Sequence, residues 1–259
     1  MSEPRIYYQD DAVTLWHGDC RDVLPQLERV DHVITDPPYS RDVYTRLRAP
    51  NTKKGSGTPS RLGIGNHQYS STSIERLAAG EIGDVNDLSL PVAIEIARLI
   101  RRWAIVFSDV EYAHIWREHL TDAGCRYVRT GAWVKPDPMP QFSGDRPAVG
   151  FEPCSIVHAQ GPMKWNGGGH AAVWIHNTVK GGAVGRHDHP CPKPESLMLE
   201  LVELFTDSGE TILDPFAGSS TTLVAAKRLG RKAIGIEMNE AHCESSARRL
   251  QQGALALFA

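Results

Sequence analysis

From Ala12 onward the apolar positions switch between two spacings. AVTLWHGD reads as a strand, RDVLPQLE as a short helix whose Pro25 is tolerated in a first turn, and DHVIT as a second strand that ends abruptly at DPPY. In LPVAIEIARLIRRW, apolar residues recur at Ile94, Ala97 and Ile100 and at Ala93, Ile96 and Leu99, which is helix spacing, and AIVFSD follows as a strand. CRYVRTGAWVK and EPCSIVHA are rich in β-branched and aromatic residues and predict strands with no long helix between them. The C-terminal third alternates again: SLMLELVELF is a helix closed near Gly209, TILD a strand, and TTLVAAKRLG a helix with Gly230 just past its end. KAIGIEM is then a strand and EAHCESSARRLQQ a last helix. Leu197, Met198, Leu201, Val202 and Phe205 form one helical face and are assigned to the core. Strands alternating with helices at both ends predict an α/β fold, a doubly wound and mainly parallel Rossmann-like sheet.

Two stretches, residues 40–87 and 160–194, fit no regular element. Loops beyond about 12–15 residues are uncommon in compact domains and are usually lids, binding loops or disordered segments. A chain of 259 residues fits one domain, and no internal repeat is visible. With 41% apolar and 23% charged residues it is neither low-complexity nor disordered in composition. The formal charge of −3 creates no global positive field, so an anionic partner must meet a local patch. The five cysteines are odd in number, widely spaced and form no C-x-x-C, and the opening MSEPRIYYQD has no charged start leading into an apolar run. The most apolar window, residues 91–107, contains Glu95, Arg98, Arg101 and Arg102, so it is not a membrane span. A cytoplasmic protein with no membrane contact is the expectation.

Asp36-Pro37-Pro38-Tyr39 stands at the carboxyl end of a predicted strand, where open α/β sheets bind ligands. Two prolines fix φ and remove two N–H donors, leaving carbonyls between a carboxylate and a flat ring. Such an all-acceptor site beside a stacking platform suits a planar group that donates through an NH2, such as a base amine. A strand-to-turn junction with a buried tyrosine is the plain alternative. Asp214, Pro215, Phe216, Ala217, Gly218, Ser219, Ser220, Thr221 and Thr222 join a strand to a helix, and small residues at a helix N-terminus expose N–H groups to a negative moiety. G-x-x-x-x-G-K-[ST] is absent, and so is G-x-G-x-x-G, because Gly218 is the loop's glycine; a tight strand–helix turn explains the loop equally well on its own. Glu237 ends the next strand, 23 residues after Asp214, and is placed to bind ribose hydroxyls. Asp19, after His17 and Gly18, is placed to accept from an adenine amine.

HGDCRDVLPQL…VDHVITDPPY and HPCPKPESLMLELVELFTDSGETILDPFAGSSTTLVAAKRLGRKAIGIEMNE together resemble the opening and closing blocks of the permuted β-class DNA amino-methyltransferases. The resemblance covers the chain except the two irregular stretches, and implies S-adenosylmethionine as cofactor, double-stranded DNA as partner, and adenine N6 or cytosine N4 as acceptor. It implies one methyltransferase domain over residues 1–259 with circularly permuted motif order; related enzymes are often homodimers. By the resemblance, Asp36, Pro37 and Tyr39 hold a flipped base, with Pro38 shaping the segment. Phe216 packs on the cofactor, Gly218, Ser219, Ser220 and Thr221 approach its methionine end, and Asp214 and Lys193 lie there too. Glu237, with Met238 and Asn239 beside it, meets the ribose, and Asp19 with the Cys20 N–H meets the adenine. Ser220 departs from the family, where many relatives have glycine.

Transfer from a sulfonium needs positioning rather than a covalent intermediate, so none of the cysteines is assigned to catalysis. The target base must leave the duplex. Between residues 41 and 62, Arg41, Arg46, Arg48, Lys53, Lys54 and Arg61 oppose Asp42 alone, a net +5, which marks residues 40–87 as a DNA-contacting loop; a solvated loop is the alternative. Residues 160–192 are the candidate target-recognition insert, with Lys164, Lys180 and Arg186 among its basic residues. His187, His189 and Cys191 lack structural-zinc spacing, so no metal is expected. Aspartate before PPY favours adenine N6 over cytosine N4 in this family, and argues against the protein-modifying NPPY group. RNA or protein methylation, a nucleotide-dependent oxidoreductase and a catalytically silent DNA-binding module are the remaining alternatives.

Overall fold

A computed structural model of the chain describes residues 3–39, 85–140, 147–179 and 192–255. In chain order the strands are β1 (Arg5–Gln9), β2 (Val13–His17), β3 (His32–Thr35), β4 (Trp103–Phe107), β5 (Arg126–Val134), β6 (Phe151–His158), β7 (Val173–Ile175), β8 (Thr211–Asp214) and β9 (Lys232–Glu237). The helices are α1 (Cys20–Val23, continued by a 3-10 turn at Leu24–Gln26), α2 (Val85–Leu99), α3 (Ala113–Asp122), α4 (Glu195–Phe205), α5 (Thr221–Arg228) and α6 (Glu240–Leu255).

The strands form one sheet in the order β1-β2-β9-β8-β3-β4-β6-β5-β7. Its centre, from β2 to β4, is parallel throughout, while β1 and the β4–β6–β5 pairs are antiparallel. Side chains alternate across this sheet, and both faces are covered. Val33, Ala104, Val106 and Leu213 face Val92, Ile96 and Leu99 of α2 and Trp116 and Leu120 of α3. Ile34, Ile105, Phe107 and Ile212 face α4, α5 and α6, where Leu197, Met198, Leu201, Val202 and Phe205 are all buried. The sheet is doubly wound and mainly parallel, as the periodicity predicts.

Four elements depart from the expected pattern. Val85–Asp87 already belong to α2, so the first irregular stretch ends earlier than residue 87. The second is interrupted by β7, which pairs in parallel with β5. Strand β1 and helix α3 carry no signal in the reading above. Gly230 closes α5 with φ +73°, the left-handed conformation glycine adopts without a Cβ penalty. Among the described residues no helix is long and apolar enough to cross a membrane.

The polarity of the sheet matters most for function. Reading outward from the centre, β8 leads to β9 and β2 on one side and β3 leads to β4 on the other. Strands β8 and β3 are parallel neighbours at the point where the winding reverses, and at such points loops diverge to leave a crevice beyond the carboxyl ends of the strands.

Candidate active site at the carboxyl edge of the sheet

Asp214 ends β8, and Asp36 follows Thr35, the last residue of β3. The Thr35 hydroxyl donates to Asp214 Oδ1 at 2.7 Å, and the Phe216 N–H donates to the same oxygen at 3.1 Å. Asp214 is 3% exposed, and burial pushes its carboxyl up to about 6 against the pull of the bonds from Thr35, Thr222 and Phe216. The loop then turns tightly: Ala217 N–H donates to the Ile236 carbonyl at 2.8 Å and Ser220 N–H to the Ala217 carbonyl at 2.6 Å. Ser220 starts α5 with φ 58°, a left-handed conformation that strains a residue with a side chain. Its hydroxyl is buried without a hydrogen-bond partner among the described residues.

Glu237, at the end of β9, braces this loop. Its carboxylate accepts from Gly218 N–H at 2.9 Å and Asn239 N–H at 2.7 Å, with His242 Nδ1 3.5 Å away. Burial works to raise its pKa, but bonds from His242, Asn239 and Gly218 hold it below the usual value. Asn239 caps α6, and the Met238 carbonyl lies 3.2 Å from His17 Nε2 at the end of β2. Asp19 caps α1 through Arg21 N–H at 2.9 Å, and the Arg21 guanidinium holds both of its oxygens. Cys20 is buried beside it. Strands β8, β9 and β2 thus bring Asp214, Phe216, Gly218, Glu237 and Asp19 to one edge.

The segment after β3 meets a charged cluster that sequence pattern did not reveal. Lys193, 9% exposed, sits with Nζ 2.5 Å from Asp36 Oδ2, 2.9 Å from Glu152 Oε2 and 3.3 Å from the Tyr39 hydroxyl. The Tyr39 hydroxyl donates to Glu152 Oε2 at 2.6 Å, and Lys135 donates to Glu152 Oε1. Lys193 therefore lies against Asp36, the residue that follows β3. The Asp36 carboxyl is held above its usual range: burial pushes it up, Lys193 pulls it down, and the Glu152 charge pushes it up again. Burial also works against ionised Glu152, but Lys193 and Lys135 overcome it and hold its carboxyl well below the usual range. Lys193 itself is held above its ordinary value: burial opposes its charge, and Asp36 and Glu152 more than compensate. Asp36 Oδ1 is buried and has no partner among the described residues.

Glu152 and Lys135 had one available signal: an acidic residue opening a strand whose following residues are all buried, paired in register with the strand before Lys135. Lys164 is not brought to this edge; it pairs with Asp207 at 2.6 Å, before the start of β8. Arg41, Arg46, Arg48, Lys53, Lys54 and Arg61 lie outside the described residues, as do Lys180, Arg186, His187, His189 and Cys191.

The chain is similar to known proteins in sequence and in fold. The N6/N4 family described as DNA methylase matches residues 30–248. The type II methyltransferase M2.LlaDCHI of Lactococcus lactis subsp. cremoris is 40% identical over 82 residues, which is 32% of this chain and 30% of that protein. The chain is thus matched over less than a third of that relative's length. Among solved structures, the M1.HpyAVI–SAM complex superposes with a TM-score of 0.66 at 21% identity, covering 92% of this chain and 98% of the other. The cytosine-N4-specific PvuII DNA methyltransferase superposes with a TM-score of 0.71 at 16% identity, covering 95% and 88%. These two likenesses are likenesses of fold.

Proposed function

Because the chain belongs to the N6/N4 DNA methylase family, we propose that it transfers a methyl group from S-adenosylmethionine to an exocyclic amine in double-stranded DNA, adenine N6 rather than cytosine N4. One observation carries this reading. At the carboxyl ends of β3 and β8, Asp36 holds a buried oxygen with no partner among the described residues, on a segment that offers acceptors and an aromatic ring.

The residues at this edge fit the cofactor. A loop with small side chains opens onto the N-terminus of α5, a place for a carboxylate, and Ser220 keeps a buried hydroxyl unpaired there. Glu237 ends β9 and Asp19 follows β2 at the N-cap of α1, and these two would meet the ribose and the adenine. Phe216 would pack on the adenosine, and Asp214 would face the cofactor's amino group. When bound, the sulfonium supplies an activated methyl group. The chain's own work is then positioning: Tyr39 stacks on the base, and Asp36 Oδ1 with the Pro37 carbonyl accepts from the amine. Those bonds draw the amine nitrogen out of conjugation, so its lone pair points at the methyl carbon. Ionised Asp36 is the stronger acceptor; Lys193 at 2.5 Å favours that form, while burial, the larger effect, raises the Asp36 pKa.

The basic stretch at 41–62 would hold the phosphate backbone, and residues 160–192 would read base edges. Aspartate before Pro37-Pro38-Tyr39 favours adenine.

Mass spectrometry of nucleosides from unmethylated DNA, incubated with the protein and S-adenosylmethionine, tests the reading. N6-methyladenine is the expected product. N4-methylcytosine would keep the reaction and overturn the base assignment, and neither product would overturn both. Asp36→Ala is expected to lower the rate by at least ~100-fold, the scale of losing one preorganised polar contact to a reacting group.

A further inference from the structure

The reaction as described makes no use of Glu152, a buried carboxylate at the same edge. Its side chain is 14% exposed, and both oxygens are engaged: Oε1 by Lys135, Oε2 by Tyr39 at 2.6 Å and Lys193 at 2.9 Å. Lys193 is confined in turn, with its Nζ 5.5 Å from the Tyr39 ring centre, 5.2 Å from Phe107 and 5.8 Å from Trp133. An ammonium has three N–H groups to give, and Asp36, Glu152 and the Tyr39 hydroxyl account for them. Asp36 Oδ2 is thereby taken, which leaves Oδ1 as the acceptor of the cluster that has no partner among the described residues.

We propose that Glu152 is a positioning residue for methyl transfer: it anchors the Tyr39 phenol and the Lys193 ammonium together, so that the Tyr39 ring and the free oxygen of Asp36 meet the target base in one fixed geometry. This rests on the methyl-transfer reading. Glu152 acts through its neighbours, since its own oxygens are engaged by them. The demand for such a brace is chemical. As the amine nitrogen becomes tetrahedral its N–H bonds leave the ring plane, so the acceptor must be held off the plane on which Tyr39 stacks. A displacement of about 1 Å in such an arrangement costs about 100-fold in rate. Tyr39 and Asp36 lie on one short segment after β3, and Glu152 reaches them from β6, fixing the segment from the far side of β4.

The competing role is plain charge balance for Lys135 and Lys193, and Glu152→Gln combined with Tyr39→Phe separates the two, because charge balance alone leaves the two substitutions additive. Glu152→Gln keeps the shape and an acceptor oxygen but removes the charge. Among the described residues, the charged groups facing Asp36 are Lys193, Glu152 and the Asp214 of adjacent β8, with the Tyr39 hydroxyl beside them. Because the Glu152 charge raises the Asp36 pKa, removing it moves the acid limb of the kcat profile to lower pH. We expect kcat to fall about 10–100-fold, while the dissociation constant for S-adenosylmethionine, measured by calorimetry, stays within about twofold. We also expect Tyr39→Phe to cost less in the Glu152→Gln background than alone, since the phenol then has less to lose. A kcat within about twofold of wild type, an unmoved acid limb with additive Tyr39→Phe, or lost cofactor binding would each overturn the positioning role. Wild-type protein that methylates no DNA would overturn the underlying reaction instead, and the wild-type control shows which has failed.

Discussion

Asp214 shows how a single side chain couples site and stability. It is buried between Thr35 and the Phe216 N–H, and burial outweighs those bonds, so its carboxyl titrates near about 6 in the folded protein against 3.8 as reference. The folded state thus holds this proton more tightly than the unfolded chain. Its contribution to stability is complete below about pH 4 and is lost as pH rises through about 6. A shift of about two pKa units corresponds to on the order of 3 kcal/mol. Asp214→Asn has no such proton to lose. Urea unfolding at several pH values should therefore show wild type losing stability, relative to Asp214→Asn, between pH 4 and 6. Parallel curves would sink the assignment. The strand-end carboxylates Asp36, Asp214 and Glu237 are legible in the sequence because each follows an apolar run that ends sharply. Glu152 and Lys135 are not: their partners lie far away in the chain, and periodicity says nothing about which charges meet.

At the scale of elements, the packing of α5 on β9 holds the candidate cofactor loop in place. Gly235 of β9 has no room for a side chain: an added Cβ would lie 2.5 Å from Leu223 Cδ2 and 3.1 Å from Ala217 Cβ. Leu223 is fully buried, so it has little freedom to retreat. Gly235→Ala should cost about 1–3 kcal/mol of unfolding free energy, the usual range for overpacking, measurable as a lower urea midpoint at unchanged slope. Unchanged stability would mean that the loop and α5 yield readily. Elements such as α4, α5, β8 and β9 are legible because both burial and periodicity mark them. Helix α3 escapes because only Trp116 and Leu120 are buried on it, a stripe too narrow to announce a helix, and Tyr112 provides no side-chain cap. Strand β1 is an edge strand with no buried residue, and β7 has three residues of which Trp174 alone is buried. Both are ordered by pairing with β2 and β5, and pairing is a tertiary effect that local pattern does not carry.

For the whole molecule the question is how a chain of net charge −3 approaches a polyanion. The order of elements answers half of it. Strands β2 and β3 come first in the chain and β8 and β9 last, yet β8 lies between β9 and β3 in the sheet, so the candidate cofactor loop and Asp36 share one edge despite their separation in sequence. The βα alternation predicts the parallel, doubly wound sheet, while the meeting of these two segments at one edge is what the resemblance to the permuted family implies. Charge answers the other half, since residues 41–62 carry +5 and follow the Asp36 segment directly along the chain. If this stretch neutralises phosphates, each lysine in contact contributes about 0.9 to the slope of log affinity against log salt. Replacing Lys53 and Lys54 by alanine should then lower that slope by about 2, read by fluorescence anisotropy on a DNA duplex between roughly 50 and 200 mM salt. Affinity would fall most at low salt and least at high salt, because the lost term is counterion release. A slope equal to that of the wild type would exclude these lysines from the DNA contact and leave the Asp36 site unaffected as a proposal.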